Sequence, residues 1–146
     1  MMGIGGKRLR PMLTLLAYGL YRDNAKEAVP FAVAVESFHN FTLMHDDIMD
    51  NAPLRRGKQT VHEKWNLSTA ILSGDVMLVK VYGMFLQLPP DQLKDALGAF
   101  NRCAAEVCEG QQWDMEFESM NSVTEAQYIN MIRLKTAVLL GFSLEL

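Results

Sequence analysis

The 146 residues contain only two cysteines, five prolines and three histidines. Cys103 and Cys108 have no metal-ligand pattern around them, so neither a disulfide framework nor a zinc site is encoded. They read as buried thiols, which suits a reducing, cytoplasmic compartment. Basic charge is not in excess: 14 Lys and Arg against 17 Asp and Glu leave a net charge of -3. That excludes the broad positive footprint of a nucleic-acid binder. No apolar run reaches the roughly 18 residues of a membrane span. The opening MMGIGGKRLRP has glycine and charge where a signal peptide would have an apolar stretch. Strand signals are missing as well, with no sustained period-two alternation between turns.

What is present is helical periodicity in a chain that is 49% hydrophobic. Pro11 suits the first turn of a helix reaching about Tyr21, where its missing N–H costs nothing. RDNAK reads as a turn, and a long helix follows over about 28–50 with Pro30 in its first turn. NAPLRRGKQT is a loop broken by Pro53 and Gly57, followed by a short helical stretch near 61–65. Further helices span about 69–88, ended by Pro89 and Pro90, and about 91–117. Thr124 and Gln127 form a capping box for the last one. The chain opens inside a glycine-basic segment and stops within the apolar pattern KTAVLLGFSLEL. The expectation is one all-α domain, cut at both ends.

Chemistry concentrates in MHDDIMDNAPLRRGK, residues 44–58. On a helix at about 100° per residue, Glu36, His39, Leu43, Asp46, Asp47 and Asp50 share one stripe. Val33, Val35, Phe38, Phe41, Met44, Ile48 and Met49 cover the other faces. A helix apolar on nearly every side is buried, so the polar stripe is expected to line a cavity, with Glu36 and His39 deep and the aspartates at its rim. Asp46 and Asp50 repel at i,i+4 spacing unless a cation intervenes. Carboxylates are hard ligands, and a divalent ion held by one or two of them completes its shell with water and phosphate. Arg55, Arg56 and Lys58 follow at once, and arginine grips phosphate bidentately. The juxtaposition points to a site for a magnesium-chelated diphosphate. A DDxxD string alone also suits a solvated helix end, and two arginines alone suit loop surface. Helix burial and the adjacency of both charge signs favour the site.

Four segments in order, GGKRLRP (5–11), HDDIMD…RRG (45–57), GQQWD with Gln111 and Asp114, and Lys135-Thr136, resemble the trans-isoprenyl diphosphate synthases. The resemblance covers essentially the whole chain. It implies an all-α bundle of the isoprenoid synthase type around a deep cavity, a homodimer, and head-to-tail joining of isopentenyl diphosphate to an allylic diphosphate with Mg²⁺. Carried over by position, it implies Asp46 and Asp50 as metal ligands with Asp47 supporting and Asp114 in a weaker role. Arg55, Lys135, Thr136 and Gln111 resemble the allylic diphosphate contacts. Gly6, Lys7, Arg10, His39 and Arg56 resemble the isopentenyl diphosphate contacts. Asp46, Asp50, Arg55 and Lys135 are the expected catalytic set. Phe41, with Thr42, resembles a chain-length determinant, implying products of farnesyl or geranylgeranyl size, although the helix projection turns Phe41 away from the aspartates.

Among the remaining residues, His45 falls nearly opposite the aspartate stripe and reads as structural. His62 reads as loop surface, and Trp65 and Trp113 as core. Asp75 carries no assignment. The family's second aspartate-rich motif and the helix before GGKRLRP have no counterpart here. The expectation is therefore a partial domain that turns over little by itself. The alternative is a non-catalytic, diphosphate-binding subunit of a heteromeric synthase. A terpene cyclase shares an aspartate-rich motif but would not require GGKRLRP or the paired arginines.

Overall fold

A computed structural model describes Gly3 and residues 5–146. Seven α-helices follow in order: α1 Leu9–Gly19, α2 Val29–Met49, α3 Val61–Lys64, α4 Leu67–Phe85, α5 Pro90–Ser119, α6 Glu125–Ile132 and α7 Val138–Glu145. A 3₁₀ turn, Ala25–Ala28, leads into α2, and a π-helical turn, Arg133–Ala137, joins α6 to α7 without a break. The all-α architecture stands. The one departure is a small antiparallel hairpin, β1 Leu54–Arg55 with β2 Lys58–Gln59, in the segment expected to be plain loop. Two residues per strand are too few to show alternation, so no pattern announced it.

Local chemistry accounts for the helix ends. Asn66 Oδ1 accepts from the Thr69 amide at 2.7 Å at the start of α4, an N-cap satisfying one orphan donor. Thr124 and Gln127 form the expected reciprocal capping box at α6. Pro90 opens α5, where its fixed φ is already helical.

The core draws Val35 and Phe38 from α2, Val81 and Phe85 from α4, Phe100, Cys103 and Val107 from α5, and Leu139 and Phe142 from α7. Phe100 is its hub. Its ring meets Phe38 edge-on at 5.0 Å, and lies 5.1 Å from Phe85 and 5.9 Å from Phe142. Such contacts add roughly 0.5–1.5 kcal/mol per pair beyond area burial.

Three expectations about side chains are corrected. Trp65 is 66% exposed, because it caps the single turn of α3 outside the core. Cys108 is exposed while Cys103 is buried. His62 is not on the surface: its side chain is 11% exposed. α4 is long and apolar enough to cross a membrane by length and composition alone, which corrects the expectation that no apolar run reaches that length. It carries Asp75 and Lys80 and packs along α2.

Candidate active site

Asp46, Asp47 and Asp50 occupy the last turn of α2 and its C-cap, and no basic residue lies in that turn. A helix C-terminus already carries negative partial charge, so three carboxylates there make a deep well for cations. Two side chains from elsewhere answer it. Arg55 Nη2 donates to Asp46 Oδ2 at 2.9 Å and Arg55 Nε to Asp47 Oδ1 at 2.6 Å. Lys135 Nζ lies 3.0 Å from Asp46 Oδ1 and 2.5 Å from Asp114 Oδ2. Burial alone would push the Lys135 ammonium down, but its two carboxylate neighbours outweigh it and the pKa is raised. Burial raises the Asp47 carboxyl despite Arg55, and burial with Asp46 beside it raises Asp50.

The hairpin explains how adjacent arginines serve different places. Its two turn residues, Arg56 and Gly57, have φ of 53° and 75°, the left-handed pair that a two-residue hairpin requires. Arg55, on the strand, points back to the aspartates. Arg56, at the tip, lies against Gly6. Thr60, 1% exposed, donates its hydroxyl to the Ala52 carbonyl at 2.7 Å and pins the loop shut.

Two compartments result. A basic pocket of 360 Å³ is lined by Gly6, Lys7, Arg10, His39 and Arg56, with Glu36 at its side. A mostly apolar cavity of 280 Å³ is lined by Phe41, Thr42, Asp46, Gln111, Lys135 and Thr136, among others. Arg10 and His39 line both, and so form the partition between them. Arg10 Nη1 faces His39 Nε2 at 3.2 Å. A guanidinium only donates, so Nε2 is the accepting, unprotonated nitrogen. Burial, with Arg10 adding to it, pushes the His39 pKa down to about 4. The imidazole is therefore neutral near pH 7. Glu36 is buried and paired with Arg8 and Asn40, so it balances the basic pocket instead of facing the apolar cavity.

All five residues expected to contact one diphosphate thus share the basic pocket. Of those expected around the other, Lys135, Thr136 and Gln111 line the apolar cavity, and Arg55 stands behind Asp46. Gln111 Nε2 is buried without a hydrogen-bond partner, a donor with capacity to spare. Gly110 makes the approach possible, since a Cβ there would overlap the backbone of Leu134 and Lys135. The π turn accounts for the rest: one wide turn within a helix shifts the register, often at functional positions, and carries Lys135 and Thr136 to the cavity wall.

Other placements differ from the projection along the helix. Asp47 is 1% exposed and lies under Arg55, not at the rim. Asp50 is exposed and lines neither compartment. Phe41 does line the cavity, as do Thr42 and Leu43, and so does His45. Cys108, Gln112 and Met115 on α5 also line it; their spacing along one helical face was the available signal, and it carries no charge to attract notice.

Asp47 Oδ2 is buried without a hydrogen-bond partner, and Asp46, whose Oδ1 meets the Lys135 ammonium, lines the cavity; this hard donor chemistry fits Mg²⁺. Among the described residues no three acidic, His or Cys groups converge as a complete metal cage. Mg²⁺ takes one or two carboxylates and fills the rest of its shell with water and phosphate oxygens.

The chain resembles known proteins along nearly its whole length. The family model for polyprenyl synthetase matches residues 1–146. A geranylgeranyl pyrophosphate synthase of Geoglobus acetivorans is 44% identical over 141 residues, covering 95% of this chain and 44% of the relative. A solved geranylgeranyl pyrophosphate synthase superposes with a TM-score of 0.95 at 53% identity, covering 98% of this chain and 44% of that one. A polyprenyl synthase from Caulobacter crescentus, solved with calcium and isoprenyl diphosphate, superposes with a TM-score of 0.88 at 32% identity, over 97% and 42% of the two chains. The chain spans less than half the length of the curated relatives it matches.

Proposed function

The chain belongs to the polyprenyl synthetase family, and from that premise we propose that it serves a prenyltransferase joining isopentenyl diphosphate to an allylic diphosphate. The observation that carries the reading is the partition of Arg10 and His39 between a basic pocket and an apolar cavity rimmed by Asp46 and Lys135. Two diphosphate substrates, one with an apolar tail, need two such compartments side by side.

The residues divide the work accordingly. Lys7, Arg10 and Arg56 hold the isopentenyl diphosphate head group in the basic pocket, with charge-assisted hydrogen bonds to phosphate. Neutral His39 orients Arg10 by accepting from its guanidinium. Breaking the allylic C–O bond sends its electron pair to the departing pyrophosphate and leaves a carbocation. Arg55 and Lys135 stand where that leaving charge develops, and fixed cations there lower the barrier. Asp46, assisted by Asp50, would hold Mg²⁺, which supplies further neutralisation of the pyrophosphate. The apolar walls keep water from the cation. Products of farnesyl or geranylgeranyl size suit Phe41 as a wall of the cavity.

The 146 residues by themselves turn over little, since among the described residues Asp46 is the one carboxylate that lines the cavity. The partner is a second copy of the chain: the outward side of α4 exposes Leu72, Val76 and Val79, with Leu86 at its C-cap, an apolar surface of the kind that pairs. Titration calorimetry of the chain with Mg²⁺ and farnesyl or isopentenyl diphosphate tests the reading, alongside a radiolabelled condensation assay and light scattering. Two separable diphosphate sites support it. No binding of either ligand overturns it. Binding at a single site, with no product from any longer form of the chain, favours the non-catalytic subunit instead.

A further inference from the structure

His45 connects α4 to the wall of the apolar cavity. Its Nδ1 lies 3.2 Å from the Phe41 carbonyl oxygen, one turn back on α2. That oxygen only accepts, so Nδ1 carries a proton. The imidazole sits 4.5 Å, centroid to centroid, from the Phe41 ring. The imidazole also occupies the space over Gly74, a buried position of α4 where any Cβ would overlap it. The next residue, Asp75, places Oδ1 3.7 Å from His45 Nε2. Phe41 is braced from a second direction by Phe38 at 5.7 Å, and Phe38 is locked edge-on to Phe100 in the core.

We propose that Gly74 and His45 set the length of prenyl chain the cavity accepts, by fixing where the Phe41 ring stands. The inference rests on the reading above, in which the cavity holds a prenyl tail. Packed side chains at interior density do not move independently. Phe41 cannot swing away from the cavity without displacing either Phe38, which the core holds, or His45, which is seated on bare backbone at Gly74. Both His45 and Phe41 line the cavity, so a displacement of the imidazole is felt directly in its depth. Gly74 touches no substrate; it acts as a positioning residue from a neighbouring helix. A methyl group at this position drives the imidazole off α4, towards Phe41 and the cavity, and shortens the space. Removing the imidazole leaves Phe41 unsupported on one side and lengthens it.

The test is calorimetric titration of the 146-residue chain, in Mg²⁺, with geranyl, farnesyl and geranylgeranyl diphosphate, and with inorganic pyrophosphate as a head-group reference. Gly74→Ala is expected to weaken geranylgeranyl relative to geranyl diphosphate by about tenfold or more, the scale of losing burial of about two methylene groups, with pyrophosphate unchanged. His45→Ala is expected to shift the ratio the other way. The double variant Gly74→Ala/His45→Ala is expected to recover the longer ligand, because the overlap is relieved. A merely structural role would weaken every ligand together and would show no such rescue. Unchanged ratios in folded variants, or a loss shared equally by pyrophosphate, overturn the inference. Should Gly74→Ala fail to fold, His45→Ala and the double variant decide by the same ratios. If the unsubstituted chain binds pyrophosphate but shows no preference for any prenyl tail, the functional reading falls, and this inference with it.

Discussion

Lys135 Nζ stands 3.0 Å from Asp46 Oδ1 and 2.5 Å from Asp114 Oδ2, joining the π turn to both α2 and α5. Together with Arg55 it holds the acidic end of α2 in a charge-compensated state. Under the proposed function, a metal-bound diphosphate arriving there would compete with these two cations for Asp46, and the ammonium and guanidinium would then be free to turn to the phosphate oxygens. This exchange makes the first prediction concrete.

Asp46→Asn should remove the shared anchor of Arg55 and Lys135. Mg²⁺ with pyrophosphate should raise the melting temperature of the unsubstituted chain, because a ligand that binds only the folded state stabilises it. The variant should lose at least about tenfold in that affinity, the scale of a charged hydrogen bond. Chelating the metal should abolish the thermal shift in the unsubstituted chain. A melting curve with and without the ligand pair checks both statements, and an equal shift in the variant contradicts them.

Arg55→Ala and Arg56→Ala should behave differently despite their adjacency. Loss of Arg55 leaves Asp47 buried beneath it with neither oxygen paired, so stability should fall by a few kcal/mol, as when a partly buried pair is broken. Loss of Arg56, at the hairpin tip, should leave stability within about 0.5 kcal/mol. It should weaken isopentenyl diphosphate binding by about tenfold to a hundredfold. Urea unfolding and calorimetry separate the two effects.

His39 predicts a pH dependence. Its pKa falls from 6.5 to about 4 on folding, through burial first and then Arg10, Arg56 and Arg55, with Glu36 opposing. Between these values the unfolded state binds more protons than the folded one, so stability rises with pH there. The contribution is fully present above pH 6.5 and is lost as the pH falls towards 4. Asp47 and Asp50, both raised, act in the opposite sense around their own pKa values. The difference between the unsubstituted chain and His39→Gln, measured by urea unfolding at pH 7, 5.5 and 4.5, isolates the histidine. A variant with the same pH slope contradicts the assignment.

Phe100→Ala should cost about 3–5 kcal/mol, the range for emptying an aromatic site in a core. Its ring touches helices α2, α4 and α7 at once through Phe38, Phe85 and Phe142. A loss below about 1 kcal/mol would mean that the surrounding rings collapse into the space.

The cysteines should separate under thiol labelling. Burial pushes Cys103 up to about 12, and it lies in the core, so it should react only after unfolding. Cys108 is exposed, though its thiol is also raised by burial. It should react slowly in the native state and be protected when a prenyl diphosphate fills the cavity it lines. Mass spectrometry after timed alkylation reads both rates.

Helix order, the capping box at Thr124, the proline boundaries and the composition of the aspartate and arginine clusters were legible from residue order. They depend on local chemistry and on a 3.6-residue period that nearby positions carry between them. The hairpin was not, because two-residue strands leave no periodic trace, and that hairpin is what separates Arg55 from Arg56. His62 and Trp65 exchanged their expected places for a similar reason: α3 is too short for its periodicity to say which side meets the core.

Residue order by itself therefore determined an all-helical chain of this family, with carboxylates at the end of one helix and cations in the following loop, because spacing and residue type act over short range. Folding in three dimensions decided which cation meets which carboxylate, and it made Arg10 and His39 a wall between two compartments. It also seated His45 on Gly74 of α4 and brought the π turn at Lys135 to the cavity. Those outcomes depend on packing between helices far apart in the chain, where a missing Cβ or one wide turn changes what can touch.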